Sequence, residues 1–127
     1  MKRCLIAMLA VLALSLGVTL TSFFVMRHVA EEMDAVRTQV LDLAEAGETG
    51  RAAERITQMA EIWKGHEALL EAISPHETLH AVTQLIIEAD ANLAAGDYDD
   101  FNLSMNLLGL AIEHLYLEER LRVENIF

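Results

Sequence analysis

The sequence predicts an all-α protein in which a single N-terminal transmembrane helix continues into an antiparallel bundle of about four helices. Composition is the first reason, since the chain is rich in Ala, Leu and Glu and has one proline, Pro75, and six glycines. The second is an uncharged apolar run over residues 4–26. The third is that apolar residues beyond this run recur at helical spacing, with breaks at glycine.

The apolar run over residues 4–26 is long enough to cross a membrane. As a helix rising 1.5 Å per residue it reaches about 34 Å, which exceeds the roughly 30 Å of a hydrocarbon core. Lys2 and Arg3 precede the run, whereas the segment after it mixes Arg27 with acidic residues. By the positive-inside rule, residues 1–3 are predicted to be cytoplasmic and residues 27–127 to form an extracytoplasmic domain of a single-pass membrane protein.

A cleaved signal peptide is the alternative to a retained anchor. Ser15-Leu16-Gly17 offers a small-x-small cleavage site after the positive start. Apolar residues nevertheless continue to Met26, which a signal peptide does not need. Cleavage after Gly17 would also leave residues 18–26 as an exposed apolar tail, so retention as an anchor is the favoured interpretation.

The boundaries between the predicted helices are marked by capping residues. Glycine ends the first helix within residues 47–50, where Thr49 is the predicted cap of the second. Residues 74–77, Ser-Pro-His-Glu, form a capping box with proline at the first helical position of the third helix. Gly96 ends that helix, and Asp97 caps the fourth. The bundle is therefore predicted to consist of two helical hairpins, with the fourth helix returning towards the membrane.

Charge excludes one class of partner. The whole chain carries a net −11, and Lys2, Arg3 and Arg27 account for three of its nine basic residues. Residues 28–127 thus hold 6 basic and 20 acidic side chains, a net −14. Such a surface repels phosphate backbones, so no nucleic-acid partner is expected. Cys4 is the only cysteine, so no disulfide can form within the chain.

The predicted fourth helix has more apolar surface than one neighbour can cover. One line of its apolar residues suits a core: Phe101, Met105, Leu108, Ile112 and Leu115. A second line lies about 160° to 200° away around the helix. It comprises Leu103, Leu107, Leu110, Leu117 and Leu121, with His114 among them. Either this helix is the most central one of the bundle, or its outer line meets a partner. The second interpretation predicts that Leu103, Leu110, Leu117 and Leu121 bind a protein partner or a second copy of the chain.

Histidines supply the remaining candidate sites. His66 and His114 fall on apolar lines and are predicted as buried polar residues between the second and fourth helices, with a metal site as the alternative. His76-Glu77-Thr78-Leu79-His80 spells H-E-x-x-H, the zinc-binding pattern of metallopeptidases. No third ligand follows at a recognised spacing, no strand flanks the motif, and both histidines lie away from the core face. No cofactor and no catalytic residue are predicted.

Several short features resemble a known bacterial family. They are the basic start with its apolar run, Trp63, the pair His76-Glu77 with apolar Leu79, and the terminal Glu-Asn-Ile-Phe of residues 124–127. Together they resemble small membrane-anchored proteins of anaerobic Gram-positive bacteria, which carry an exported helical domain and have no assigned activity. The resemblance implies the architecture derived above and adds no chemistry.

These observations together favour a non-enzymatic protein-interaction or assembly module held at the membrane by residues 4–26. An exported domain that binds a metal or a small ligand is the alternative, because a net −14 charge permits it and candidate ligands are present at His66, His76, His80 and His114. A zinc peptidase built on His76, Glu77 and His80 is the remote alternative.

Overall fold

The computed structural model describes residues 1–73 and 76–126, and these ranges are helical apart from short turns. The four helices are α1 (Lys2–Glu45), α2 (Thr49–Ile73), α3 (His76–Ala95) and α4 (Tyr98–Ile126). No strand occurs within the described ranges. The predicted all-α fold of four helices is confirmed, including the uninterrupted passage of α1 from the apolar run into the bundle.

The α1–α2 and α3–α4 turns share one backbone motif. Gly47 and Gly96 have φ of 80° and 74°, a conformation that glycine adopts without steric cost. After each glycine, an amide reaches back to the helix: Glu48 donates to the Leu43 carbonyl at 2.9 Å, and Asp97 to the Asn92 carbonyl at 3.0 Å. This is the Schellman arrangement, which satisfies the last carbonyls of a helix. The two predicted glycine breaks are therefore confirmed.

The predicted caps have mixed outcomes. Asp97 caps α4, since its Oδ1 accepts a hydrogen bond from the Asp100 amide at 3.2 Å. The Asp97 side chain also raises the pKa of the Asp100 carboxyl, mainly through a side-chain hydrogen bond. Thr49 is the first residue of α2 rather than its cap, because the Glu48 carbonyl accepts the Ala52 amide at 3.0 Å. The capping box falls on Ser74 and Pro75, which lie outside the described residues, and α3 is described from His76.

Each helix packs against two neighbours and lies diagonally across from the third. The packed pairs in the described part of the chain are α1 with α2, α2 with α3, α3 with α4, and α4 with α1. Two hairpins thus close into a four-helix bundle, as predicted. Because α4 runs antiparallel to α1, its end returns towards the N-terminal end of α1, where Tyr116 meets Phe23 with ring centroids 6.0 Å apart.

The bundle core is built from the apolar lines that the sequence displays. The five core-line residues predicted for α4 are all buried. The other helices contribute Met26, Val29, Met33 and Val40 from α1, Ala52, Ile56, Met59, Trp63 and Leu70 from α2, and Leu79, Val82, Ile86, Ala89 and Leu93 from α3. The free energy released by burying these side chains is the main stabilisation of the fold.

The apolar run of α1 divides into an uncovered part and a packed part. Residues 1–15 are all exposed, and the first residue with intermediate burial is Leu16. At the other end of the run, Met26 is only 1% exposed and belongs to the core. Packing thus begins about ten residues before residue 27, the predicted start of the domain. Within residues 18–26, Val18 is 59% and Phe24 60% exposed, most of the others are partly covered, and Met26 is buried, so this segment is partly packed against the bundle.

The buried Trp63 ties α2 to α3 through one hydrogen bond. Its indole Nε1 donates to Thr83 Oγ1 at 2.9 Å, and that hydroxyl donates to the Leu79 carbonyl at 3.2 Å. Thr57 makes the same backbone bond, to the Ala53 carbonyl at 3.1 Å, on an exposed surface. Thr57 therefore serves as a matched reference for the Trp63–Thr83 contact.

We predict that Thr83→Val lowers the free energy of unfolding by about 1–3 kcal/mol, because the indole N–H stays buried without an acceptor. Thr57→Val is expected to change it by less than about 0.5 kcal/mol. Denaturant unfolding of the full chain in detergent, followed by fluorescence of the single tryptophan, measures both. Equal effects of the two substitutions would contradict the assigned role of the Trp63–Thr83 bond.

Candidate interaction surface

One face of α4 presents a line of exposed leucines. We call Leu103, Leu107, Leu110, His114, Leu117 and Leu121 the leucine seam. Its five leucines are between 40% and 62% exposed, and the seam extends about 27 Å along the helix. Aligned large apolar side chains of this kind mark contact surfaces in soluble domains. The second apolar line of the fourth helix is therefore not covered by the described part of the chain.

The seam is exposed because of where the neighbours of α4 lie. α4 packs against α1 and α3, and its core line turns towards both of them. The seam is on the opposite side of the helix, about half a turn around the axis, where neither neighbour can reach it.

Two shallow grooves border the seam. The groove between α3 and α4 has a volume of about 660 Å³, and Ala81, Ala111 and Leu117 contribute to its walls. The groove between α1 and α4 has a volume of about 710 Å³ and is lined by charged residues that include Arg27 and Glu113. Leu110 lines both grooves and is thus the ridge between them. A helix docking on the seam would find a depression on either side of Leu110.

Arg37, on α1, makes polar contacts that hold α4 against α1. Its guanidinium lies 2.9 Å from the Asp34 carboxylate and donates to the Met105 carbonyl at 3.4 Å. It also lies against Gly109, where an added Cβ would stand 2.8 Å from Arg37 Cζ. The absence of a side chain at residue 109 is therefore what admits the guanidinium beside the helix.

A second polar contact fixes α4 to α3. Asn92 Nδ2 donates to Ser104 Oγ at 3.2 Å, and Ser104 is a buried polar residue of the described core. α4 is thus held on both flanks, by Arg37 and by Asn92, and the seam is presented on a rigid element. Rigid presentation lowers the entropy lost when a partner binds.

The structure does not bring His66 and His114 together. α2 and α4 lie diagonally across the bundle, and the His114 side chain is 63% exposed, with Nε2 at 2.9 Å from Glu118 Oε1. His66 is partly exposed, and its Nε2 lies 3.6 Å from Glu32 Oε2 on α1. His114 was predicted as a buried polar residue and instead stands in the seam. Its position on the outer apolar line placed it there, because that line faces solvent.

Glu32 is a residue that the sequence analysis did not single out. Its Oε2 lies between two imidazoles, 3.6 Å from His66 Nε2 and 3.7 Å from His28 Nε2. The spacing of His28 and Glu32 by four residues within α1 is the available sequence signal. The contact with His66 crosses from α1 to α2 and has no local pattern.

His76 and His80 both lie exposed at the start of α3. Within residues 1–73 and 76–126, no group of three His, Cys, Asp or Glu side chains is placed to hold a metal ion. The His76-Glu77-x-x-His80 motif thus has no third ligand among the described residues.

Fold and surface together define a class: a four-helix bundle whose first helix extends beyond the bundle as an uncovered apolar segment and whose last helix has an unpartnered leucine face. Comparison of the chain with protein-family models, with curated proteins and with solved structures found no match.

The contact between Arg37 and Gly109 can be tested with a second helical glycine, Gly65, which has open space around its Cα. We predict that Gly65→Ala stabilises the chain by about 0.5–1 kcal/mol through helix propensity. Gly109→Ala should gain less or destabilise, because the guanidinium must leave the Met105 carbonyl. Thermal unfolding by circular dichroism in detergent measures both variants.

An Arg37→Ala background supplies the control for this comparison. Once the guanidinium is gone, Gly109→Ala is expected to gain the same about 0.5–1 kcal/mol as Gly65→Ala. An equal gain at residue 109 with Arg37 present would contradict the proposed packing.

Proposed function

We propose that this protein is a single-pass, membrane-anchored extracytoplasmic module with a non-enzymatic role in protein association, and that the leucine seam is its contact surface. The seam is the observation that carries the proposal. Its apolar side chains stand in water on a helix that is fixed on both flanks, and burying them against another protein releases free energy. The resemblance to small membrane-anchored bacterial proteins agrees with the anchored, exported architecture alone and stays a prediction.

The uncovered part of α1 supports the anchor. Among the described residues, α1 is the one helix long and apolar enough to cross a membrane, and none of its most apolar window is buried. A core helix of a soluble bundle would have that window covered. Lys2 and Arg3 before it favour a cytoplasmic N-terminus and an exported bundle.

The end of α4 limits how much of α1 lies in lipid. α4 continues for ten residues beyond Tyr116 to Ile126, about 15 Å alongside the part of α1 that precedes Phe23. This end carries Glu118, Arg120 and Glu124, of which the last two pair at 3.1 Å. Placing such charges in hydrocarbon costs about 2.5–3.5 kcal/mol each at the bilayer centre. We therefore propose that the lipid-embedded segment is the N-terminal part of the apolar run, starting at residue 4, and that the later residues of the run, which α4 flanks, lie outside the hydrocarbon.

The anchor predicts that the mature protein keeps its N-terminus. The full 14.1 kDa chain should remain in the membrane pellet after an alkaline carbonate wash, with an intact mass that includes residues 1–17. Gly17→Leu, which removes a small residue that signal peptidase requires, should change neither the mass nor the fractionation. A soluble product that begins at Val18 and accumulates only with Gly17 present would contradict retention.

The contact surface predicts that charge in the seam abolishes association. Leu110→Glu combined with Leu117→Glu should reduce the associated fraction in gently solubilised membranes at least about tenfold, since two carboxylates would be desolvated in the contact. Native electrophoresis measures the size of the complex. Leu69→Glu is the matched control, because Leu69 is 50% exposed on α2, diagonal to α4.

The fold of each variant is checked by helical circular dichroism and by Trp63 fluorescence. Unchanged association in a folded Leu110→Glu/Leu117→Glu variant would reject the seam as the contact surface.

A further inference from the structure

We infer that the seam binds a second copy of the same chain, with the two α4 helices parallel and each seam residue facing its own counterpart. This inference rests on the proposed function, because the shared anchor sets the direction of pairing. Spacing, direction and area each support it, whereas charge opposes it.

The spacing of the seam is that of a coiled coil. Its six residues are separated by 4, 3, 4, 3 and 4 positions, which is the alternation of the core positions of a heptad. Leu103, Leu110 and Leu117 take one core position, while Leu107, His114 and Leu121 take the other. Two such seams are self-complementary, since the knobs of one fit the holes of the other along the same 27 Å.

The direction of pairing follows from the anchors. α1 enters the membrane by its N-terminal part, and α4 is antiparallel to α1. In two copies held in one membrane the α4 helices therefore point the same way, and a two-fold axis along the membrane normal relates the copies. Symmetry then brings each seam residue opposite its own counterpart, including His114 opposite His114 of the second copy.

In a parallel pair of α4 helices, the residues that flank the seam bring like charges together at one pair of positions. In a parallel pair, Asn106 of one copy faces Ala111 of the other, and neither is charged. Glu113 faces Glu118 of the second copy, which is the like-charged contact of this face. His114 stands beside it, with Nε2 already 2.9 Å from Glu118 of its own chain. A polar residue at one core position of this kind fixes register in parallel dimers.

The area suffices for a specific dimer. Each seam leucine, at 40% to 62% exposure, offers on the order of 100 Å² to a partner. The leucines of two copies together remove about 1,000 Å² from water, which reaches the lower bound of specific interfaces before the groove walls are counted. The net −14 of residues 28–127 in each copy opposes the approach, so the pairing is of moderate strength and depends on salt.

Disulfide trapping in membranes tests the pairing and its direction. In a Cys4→Ser background, Leu110→Cys should form a disulfide-linked dimer under mild oxidation. Leu69→Cys, at a position on α2 that is 50% exposed against 62% for Leu110, should remain monomeric. In membranes that contain both Leu103→Cys and Leu121→Cys chains, each variant should link to itself, because these two residues lie at opposite ends of the seam. Links between the two variants would mean an antiparallel pair and would overturn the inferred direction.

Salt dependence of the purified chain separates a second copy from another partner. Sedimentation of the full chain in detergent should show dimerisation strengthened at least about threefold between roughly 20 mM and 300 mM salt, since screening weakens the repulsion between two acidic domains. A basic partner protein would bind more weakly as salt rises.

The two proposals fail in different ways. A purified chain that stays monomeric at both salt concentrations, with no Leu110→Cys dimer in membranes, overturns the inference of a second copy. If the native complex still depends on Leu110 and Leu117, the seam remains the surface for a different protein. If charged leucine variants leave the native complex unaltered as well, the proposed function falls with it.

Discussion

In a bundle where each helix touches two neighbours, a helix can bury one broad face and no more, and this limit organises the molecule. α2, α3 and the part of α1 beyond its apolar run meet it with polar outer faces, apart from single exposed residues such as Leu69 and Ile87. α4 does not, since five leucines lie opposite its core line. The contacts of α4 with α1 and α3 are made by its core line. No helix of the described chain therefore covers the five leucines. What covers them is a property of the assembly rather than of the fold.

Much of the architecture could be read from the sequence because the signals are local. Helical periodicity marked the buried faces, and glycine marked the turns at residues 47 and 96. The outer leucine line was visible for the same reason. The contact between Arg37 and Gly109 was not, since 72 positions separate them and neither residue breaks a local pattern. Gly109 matters because its missing side chain leaves room for the Arg37 guanidinium, and that neighbour is known only from the folded structure.

The apolar run shows a different limit of sequence analysis. Lipid and a protein core are both apolar, so an uncharged run has no mark where one gives way to the other. In the structure, packing shows where the uncovered part of the run ends: Leu16 is the first partly covered residue, and Met26 lies in the core. For His114, the sequence showed that the residue lies on an apolar line of α4. Whether that line faces the core or water depends on the positions of α1 and α3, which the sequence does not show.

The unbroken length of α1 makes the protein a mechanical lever. Lys2–Glu45 is a single helix of 44 residues, about 66 Å long, which contains no proline and continues without a break through Gly17, at the boundary between its uncovered and packed parts. A change of 10° in the angle of the uncovered end would carry the turn at Gly47 sideways by roughly 11 Å. Events in the bilayer, such as a change in thickness that alters helix tilt, would thus be converted into displacement far from the membrane.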